Sequence, residues 1–417
     1  MQLSDIDLLD RDRFAKGVPH EWFTLLRKEA PIYHHPEPDG PGFWVFTKHA
    51  DVSAIGRDAQ RFSSDQARGG VVGLEEITAD QQAANDLQEG GNLMLTMDPP
   101  PHTRYRRLVN RGFAPRMLSQ IEPHVREVAD RVVEEGIAKG DADFVVDLAA
   151  ELPLIVIAEF IGVPHEDRHK IFSWSNKMIG SEDPEYAVEP AEVRQAFIDM
   201  FLYAQQLAEE RRANPRDDIA STLLSADVDG DELSAMDFNL FFLLLAVAGN
   251  ETTRNAISHG MNAFLEHPDQ YKMLREHPEL LPSAVEEILR WASPVLYFRR
   301  NVTEDVDYKG HQLRTGDKLS IWFVSANRDE DVFDDPFRFD ITRQPNQHVA
   351  FGGGGPHNCL GFNLARMEMR LFFDALTRRV DHVESLDSPT PLRSNFIGGI
   401  KHLPVRFHTA SDELVGA

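Results

Sequence analysis

The stretch "FGGGGPHNCLGFNLAR", residues 351–366, contains the single cysteine of the chain, Cys359. Four consecutive glycines, a proline and a histidine precede this thiol, and a segment of helical periodicity follows it. A run of four glycines loses much backbone entropy on folding, so it indicates a place where the chain passes close to another group. Three roles are compatible with such a loop: a phosphate cradle, a catalytic thiol, or a thiolate ligand for a metal.

The phosphate interpretation requires a spacing that these glycines lack. In a dinucleotide fingerprint that starts at Gly352 or Gly353, the third glycine position falls on His357 or Asn358. A P-loop ends in a lysine followed by Ser or Thr, and no lysine lies near the run. The interpretations that use the thiol therefore carry more weight.

The thiol itself leaves three alternatives, of which the first is a catalytic nucleophile. We expect a cysteine at a helix start to have a lowered pKa, because unsatisfied amides and the macrodipole favour the thiolate. A thiol enzyme also needs a base, and sequence neighbours such as His357 rarely form that pair. A buried, inert cysteine is the second alternative, and the glycines count against it. A haem iron requires an anionic thiolate and a flat macrocycle that excludes side chains, and the loop meets both demands.

The loop resembles the cysteine loop of the cytochrome P-450 family in Phe351, the glycines, His357, Cys359 and Gly361. One glycine is extra relative to the usual spacing, which resembles a bacterial subgroup acting on sterol side chains and branched lipids. The resemblance implies that Cys359 is the axial iron ligand of haem b (iron protoporphyrin IX), with Phe351 and Gly361 beside the cofactor. It also implies a mainly α fold with small β-sheets.

A second motif is "AVAGNETTRN", residues 246–255. An interior helical glycine costs about 1 kcal/mol relative to alanine, so Gly249 needs a reason. By residue pattern alone the segment could be a simple amphipathic transition. It resembles the family's A-G-x-[DE]-T pattern, which implies that Glu251 and Thr252 relay protons toward O₂. Gly249 would then leave room for O₂ or substrate and lie among the cofactor-binding residues.

A third motif is a Glu-x-x-Arg pair, Glu287 and Arg290, whose spacing places both on one helical face. The same spacing recurs at Glu251 and Arg254, so it identifies nothing alone. Arg338 in "DDPFRFD" resembles the third member of the family's Glu-Arg-Arg cluster. The resemblance implies a buried cluster with a structural role.

Basic side chains for the two haem propionates are the fourth expected feature. His102 and Arg106 are four residues apart in "PPPHTRYRRLV", and His357 lies in the cysteine loop. Arg300 matches a further propionate position of the family, although its neighbour Arg299 is an alternative. The resemblance implies that these residues hold the cofactor.

Segments that match the family's substrate-contacting regions are apolar. The resemblance assigns Leu245, Ala248, Val295 and Phe396 to substrate contacts. We therefore expect a large apolar substrate, such as a steroid or branched isoprenoid lipid hydroxylated near a chain end. A smaller terpene or aromatic compound is the alternative.

The remaining chain predicts the surroundings of these motifs. Residues 31–47 and 295–323 predict short strands, residues 66–95 a long loop, and a helix should follow Pro101. We see no repeat or linker, which predicts a single domain over residues 1–417.

Composition limits the cellular context. Forty-three basic and 68 acidic side chains give a net charge of −25, which argues against binding to nucleic acid. One cysteine excludes an intramolecular disulfide, as expected in a reducing compartment. The longest apolar run, "LFFLLLAVAG" from Leu240, is about half the length of a spanning helix. We expect a cytoplasmic protein without a signal peptide or membrane anchor.

The expected activity is that of a monooxygenase that uses O₂ and electrons from NAD(P)H. Because no flavin or iron–sulfur segment is visible, we expect separate ferredoxin and ferredoxin reductase partners. Arg104, Arg107, Arg111 and Arg116 form a basic segment that could bind an acidic ferredoxin. Two rival functions are a haem-binding gas sensor or carrier, which would not need Glu251, and a thiol hydrolase without haem.

Overall fold

The computed structural model describes residues 1–76, 93–186, 189–216, 218–225, 227–228 and 231–409. Much of the predicted 66–95 loop therefore lies outside the described residues. The α-helices of the described part are Arg11–Phe14 (α1), His20–Glu29 (α2), His49–Arg57 (α3), Pro101–Asn110 (α4), Pro115–Ile137 (α5), Glu151–Phe160 (α6), Arg168–Ile179 (α7), Pro190–Ala213 (α8), Ile219–Leu224 (α9), Ala235–Glu266 (α10), Pro268–Glu276 (α11), Leu281–Ala292 (α12), Phe323–Ala326 (α13) and Phe362–Arg379 (α14).

The strands are short and form small sheets. They are Ile32–His35 (β1), Phe43–Phe46 (β2), Phe62–Ser63 (β3), Asp141–Asp143 (β4), Asp227–Val228 (β5), Asp231–Glu232 (β6), Tyr297–Val302 (β7), Val306–Tyr308 (β8), His311–Leu313 (β9), Lys318–Trp322 (β10), His382–Ser385 (β11), Thr390–Pro391 (β12), Ile400–His402 (β13) and Pro404–His408 (β14). The largest sheet has the order β1-β2-β10-β7-β3, in which only β2 and β10 run parallel. A second sheet has the order β11-β14-β4.

The predicted mainly α architecture with small sheets is confirmed. The two strands expected within 31–47 are β1 and β2, and the β-rich region after residue 295 contains β7 to β10. The helices expected after Pro101 and after Cys359 are α4 and α14. The single domain over residues 1–417 stays a prediction.

The long helix α10 passes through the main apolar cluster and contacts α6, α7, α8, α11, α12 and α14. It begins with a capping box, in which Ser234 Oγ accepts from the Asp237 N–H at 3.0 Å and the Asp237 carboxylate accepts from the Ser234 N–H. Its second half buries polar side chains, among them Asn250, Glu251 and Arg254. None of the described helices combines the length and the apolar character needed to cross a lipid bilayer. Burial of charged and polar side chains costs free energy, so Asn250, Glu251 and Arg254 on α10 call for a functional explanation.

A fully buried ion pair joins α12 to the irregular segment 336–346. Arg290 donates two hydrogen bonds to the Glu287 carboxylate, both at 2.7 Å, and neither side chain is exposed. Arg290 also donates to the carbonyls of Asn327 and Pro336, both at 2.9 Å. A bidentate arginine–carboxylate pair with satisfied remaining donors holds its neighbours in one geometry. The predicted structural pair is therefore present.

The predicted third member of the cluster, Arg338, was wrong. Its side chain is 63% exposed and lies 3.7 Å from Asp340, and only its carbonyl joins the cluster, by accepting from Arg290. Arg343 takes the expected place: its Nε lies 3.2 Å from the Glu287 carboxylate and its side chain is 10% exposed. Sequence spacing did not separate the two arginines, because side-chain direction in an irregular segment depends on its tertiary path.

This difference predicts that two nearby arginines contribute unequally to stability. Arg343→Ala should lower the free energy of unfolding by about 3 kcal/mol, because Glu287 loses a buried charged partner. The matched control Arg338→Ala should stay within about 0.5 kcal/mol, because its guanidinium is exposed. Urea unfolding followed by the helical circular dichroism signal measures both. Equal losses in the two variants would contradict the assignment of Arg343.

Candidate functional site

The cysteine loop folds against helix α3. All four glycines have positive φ angles of 104°, 70°, 98° and 82°, a region that favours glycine. A Cβ on Gly355 would lie 2.2 Å from the carbonyl oxygen of Gly56, and one on Gly354 would lie 3.0 Å from Arg57 Nε. The close approach that the sequence indicated is therefore made to a helix at these two positions.

Cys359 lies between this loop and α14. Its N–H donates to the carbonyl of Phe351 at 2.9 Å, and the Gly361 N–H donates to its sulfur. Burial raises the pKa of the Cys359 thiol, although Gly361 and the charges of Arg106 and Arg366 act in the opposite direction. In the chain by itself, burial therefore outweighs the lowering that we expected from the helix start, and deprotonation by the helix start and the iron together stays a prediction. A raised pKa argues against an activated catalytic thiol.

Four basic side chains from three segments meet beside the cysteine loop. His102 and Arg106 lie on α4, Arg300 lies on β7 and His357 lies in the loop. The His102 and His357 ring centroids are 4.3 Å apart. Arg106 donates to the carbonyls of Pro356, at 2.7 Å, and Asn358, at 2.5 Å. The structure thus brings together the residues that the sequence assigned to the propionates.

Within the described residues these basic side chains form no ion pair with a carboxylate, although the charge of Asp98 acts on His102 and Arg300. In the same part of the chain, both ring nitrogens of His102 and Nε2 of His357 are buried without a hydrogen-bond partner. Arg300 is 5% exposed, and its Nη1 donates to the carbonyl of Arg299 at 2.7 Å. Burial lowers the pKa of His102 to about 4, that of His357 to about 2 and that of Arg300 to about 10. A ligand with carboxylates beside Cys359 would satisfy these groups, so the residues present fit haem b.

The structure distinguishes Arg300 from its neighbour Arg299. Arg299 donates to Asn301 Oδ1 at 3.0 and 2.8 Å and to the carbonyl of Gly73 at 3.2 Å. Consecutive residues of a strand point to opposite faces, and Arg300 lies near enough to His357 to depress its pKa. The guanidinium that faces the other bases is therefore that of Arg300.

The two predicted relay residues lie on α10 with different partners. Thr252 Oγ1 donates to the carbonyl of Ala248 at 2.8 Å. Glu251 is 1% exposed and its Oε2 pairs with Arg254 Nη2, whereas its Oε1 is buried and has no hydrogen-bond partner among the residues that the structure describes. Burial raises the pKa of Glu251, and the charge of Arg254 opposes this effect. The acid is therefore able to carry a proton at higher pH than an exposed glutamate.

Gly249 packs closely against a neighbouring helix. A Cβ at this position would lie 2.8 Å from Cδ1 of Ile157, which lies on α6. The packing of α10 against α6 is therefore one reason for a glycine here. The prediction that Gly249 leaves room for O₂ or substrate and contacts the cofactor stays a prediction.

The predicted substrate-contacting residues come from segments that the fold brings together. Val295 and Ile397 form an isolated β-bridge, and the rings of Phe298 and Phe396 have centroids 5.8 Å apart. His259 Nε2 lies 3.0 Å from the carbonyl of Gly398, which holds segment 394–400 against α10. On α10 itself, Leu245 is buried and Ala248 is exposed within an otherwise packed helix. The fold therefore places segments 294–298 and 394–400 side by side, with the second against α10.

Sequence reasoning missed two contacts around the site. Arg366 lies over the ring of Phe351, with its guanidinium carbon 4.6 Å from the centroid, and pairs with both carboxylate oxygens of Glu286 at 2.6 and 2.7 Å. Burial favours the neutral form of Glu286, but Arg366 and His348 outweigh that effect and lower the pKa of Glu286 to about 2. Arg254 on α10 is the second missed residue. The repeated Glu-x-x-Arg spacing was the available signal for Arg254, and no comparable signal marked Arg366.

Comparison with known proteins finds a family match and similar relatives. The sequence pattern described as Cytochrome P450 matches residues 169–402. The steroid C26-monooxygenase of Rhodococcus jostii (strain RHA1) is 42% identical over 412 residues, which are 97% of this chain and 85% of the relative. The methyl-branched lipid omega-hydroxylase of Mycobacterium tuberculosis (strain ATCC 25618 / H37Rv) is 44% identical over 415 residues, 97% of this chain and 95% of the relative.

Solved structures agree with the fold. A Mycobacterium marinum cytochrome P450 in complex with pseudoionone has a TM-score of 0.88 and 37% identity, and the match covers 96% of this chain and 98% of that chain. A cytochrome from Bacillus megaterium in complex with testosterone has a TM-score of 0.80 and 32% identity, with coverage of 93% and 99%. The likeness extends over nearly the whole chain in both cases.

The assignment of Cys359 predicts a spectroscopic result. Cys359→Ser should abolish the thiolate-type spectrum of the reduced, CO-treated protein, because serine offers no thiolate. Asn358→Ala is the matched control: the carbonyl that accepts from Arg106 survives the change, so the spectrum should persist. A thiolate-type spectrum in the serine variant would exclude Cys359 as the ligand.

Proposed function

This chain belongs to the cytochrome P450 family and is a haem b monooxygenase, and from that premise we propose that it hydroxylates a steroid side chain or a methyl-branched lipid near the chain end. The observation that carries the proposal is identity of 42% and 44% over 97% of the chain to relatives named for these two activities. Haem b, when bound, supplies the oxidising chemistry of the reaction RH + O₂ + 2e⁻ + 2H⁺ → ROH + H₂O.

The residues proposed to hold the cofactor follow from the geometry of the cysteine loop. Cys359 would provide the thiolate ligand. Arg300, His102 and His357 would donate hydrogen bonds to the propionates, because within the described residues these side chains form no ion pair with a carboxylate. Arg106 holds the loop itself through the carbonyls of Pro356 and Asn358.

An apolar substrate suits the residues proposed to contact it. The segments "LLLAVAG" (243–249), "PVLYF" (294–298) and "SNFIGGI" (394–400) contain no charged residue. Binding would therefore depend mainly on apolar area removed from water, at about 25 cal/mol per Å². A large sterol or branched lipid buries more of this area than a monoterpene does. This reasoning favours the larger substrate class.

Glu251 and Thr252 are the residues we assign to proton delivery. The raised pKa of Glu251 keeps a proton available on a buried acid, and Thr252 has a hydroxyl that both donates and accepts. A positioned proton donor contributes about 10²–10⁴-fold to a rate. A gas sensor or carrier would have no use for this pair, so the relay favours an enzyme over that rival.

Electrons reach a cytochrome P450 from a redox partner, and we infer that the partner here is a ferredoxin reduced by an NAD(P)H-dependent ferredoxin reductase. Arg107 on α4 and Arg116 on α5 are exposed, and neither has an ion pair within the described residues. Arg107 follows Arg106, which contacts the cysteine loop, so a partner bound there would lie beside that loop. The side chain of Arg111 lies outside the described part. The cytoplasmic location stays a prediction.

Titration of the ferric holoprotein with cholestenone, a methyl-branched fatty acid and a monoterpene tests the substrate class. The spin shift of the iron reports binding. We expect at least one of the two larger ligands to bind at least about ten times more tightly than the monoterpene, a difference in binding free energy of about 1.4 kcal/mol. Phe396→Ala should weaken this binding about tenfold, because the half-buried ring of Phe396 would lose its apolar contact with the ligand. Phe337→Ala, at a 43% exposed phenylalanine, is the control and should change nothing. A response to the monoterpene alone would overturn the proposed substrate class.

Ferredoxin docking is tested by charge reversal. Arg107→Glu and Arg116→Glu together should slow reduction by an acidic ferredoxin about tenfold at low salt, and the difference should shrink as salt rises. Stopped-flow reduction measures the rate, and substrate binding should be unaffected. Arg212→Glu on α8 reverses an exposed arginine on a different helix and serves as the control. Equal rates for the double variant and the control at low salt would exclude this surface.

A further inference from the structure

Arg254 is a buried arginine in contact with the proposed relay acid. Its Nη2 pairs with Glu251 Oε2, and the two side chains are 5% and 1% exposed. An exposed pair of the same spacing contributes only a few tenths of a kcal/mol, because water and salt screen it. A pair buried in the protein is not screened in this way, so the charge of Arg254 acts strongly on the carboxylate.

Helix α7 holds Arg254 from its other side. Arg254 Nη1 donates to Asn176 Oδ1 at 3.1 Å, and its guanidinium carbon lies 5.7 Å from the ring centroid of Phe172. Phe172 and Asn176 are four residues apart and therefore share one face of α7. The guanidinium is thus fixed between a carboxylate on α10, an amide oxygen and an aromatic ring on α7.

We infer that Arg254 is a positioning residue for proton delivery, which stabilises the carboxylate of Glu251 after it has released its proton and which is itself held in place by α7. The inference rests on the proposed role of Glu251 as the relay acid. Because Arg254 engages Oε2, the other oxygen, Oε1, stays without a partner within the described residues and is the one available for proton exchange.

The physical reason is that a relay acid has to exist in both protonation states. Burial raises the pKa of Glu251, so the carboxylate is the costly state, and Arg254 offsets part of that cost. Without Arg254 the group would stay neutral to higher pH and would give up its proton less readily. Proton delivery would slow, and more of the reducing equivalents would end in hydrogen peroxide.

Other titratable groups near the pair do not replace Arg254. Tyr186, in the segment after α7, interacts electrostatically with both Glu251 and Arg254, and burial raises its pKa above the ordinary value. It therefore stays neutral at the pH of an assay. Lys401 Nζ lies 6.0 Å from the Tyr186 ring centroid and is paired with Asp183 at 2.9 Å and with Glu185 at 2.8 Å. Its charge is already balanced.

The experiment is a double-variant cycle on the holoenzyme with Glu251→Gln, Arg254→Gln and both together. Product and peroxide per NADH consumed are measured with the tightest-binding ligand of the substrate titration. Arg254→Gln should raise peroxide about tenfold, a modest share of what a proton donor contributes. The double variant should match Glu251→Gln alone, because Arg254 acts through that carboxylate. Arg254→Lys should restore part of the coupling.

A second readout does not depend on turnover. Infrared difference spectroscopy follows the protonated carboxyl band of Glu251, assigned by its loss in Glu251→Gln. In Arg254→Gln this band should persist to a pH about one unit or more above the wild-type value. Arg212→Gln removes an exposed arginine of the same Glu-x-x-Arg spacing and should leave both readouts unchanged.

The outcomes separate the two ideas. If Glu251→Gln stays fully coupled, the proposed relay role fails and the inference fails with it. If Glu251→Gln uncouples the reaction while Arg254→Gln does not, or if the double variant is worse than Glu251→Gln, the inference is overturned and the relay stands. If Arg254→Gln does not load haem, Asn176→Ala tests the same contact. In Asn176→Ala the protonated carboxyl band of Glu251 should persist to a higher pH than in the wild type, by a smaller amount than one unit. An unchanged pH would overturn the inference.

Discussion

The hold of Arg106 on the cysteine loop is the interaction on which the rest of the site depends. Its two hydrogen bonds, to the carbonyls of Pro356 and Asn358, are charge-assisted and join α4 to the residues immediately before Cys359. The loop can accept this clamp only because its glycines adopt positive φ angles and let the backbone lie against α3. Helix α14 then begins at Phe362, three residues past the thiol. The position of the sulfur is thus set from three sides.

The same region buries polar groups, and contacts within the chain do not offset the free energy that this burial costs. A chain of net charge −25 places the buried side chains of His102 and Arg300 beside the half-buried His357, and none of the three forms an ion pair within the described residues. Burying polar groups without partners is unfavourable by several kcal/mol, so the arrangement is explained by a ligand that brings negative charge. Stability of the site and loading of the cofactor are therefore expected to be linked. The Glu287 cluster, by contrast, satisfies its charges internally and needs no ligand.

Most elements could be predicted from sequence because local patterns report local geometry, and the grouping of four basic side chains beside the cysteine loop followed from the family resemblance. The i, i+4 pair His102 and Arg106 shares a face of α4, and the strand and turn signals of β1, β2 and β7 to β10 were local too. The features that the sequence did not reveal have a common cause. The cluster membership of Arg343, the packing of Gly249 against Ile157 and the raised pKa of Cys359 all depend on residues distant in sequence or on burial. No local pattern contains that information.

Helix α10 shows why such long-range contacts decide function as well as fold. Both relay residues are bonded within their own helix, Thr252 to the carbonyl of Ala248 and Glu251 to Arg254. Hydrogen bonds within the helix satisfy these polar groups in an apolar core, but they also occupy some of the donors and acceptors that proton transfer would need. The Thr252 hydroxyl keeps its lone pairs, and Glu251 keeps Oε1. The contacts of Arg254 with α7 then determine how tightly the acid is held. The hold on the acid therefore depends on how α7 packs against α10, and not on α10 alone.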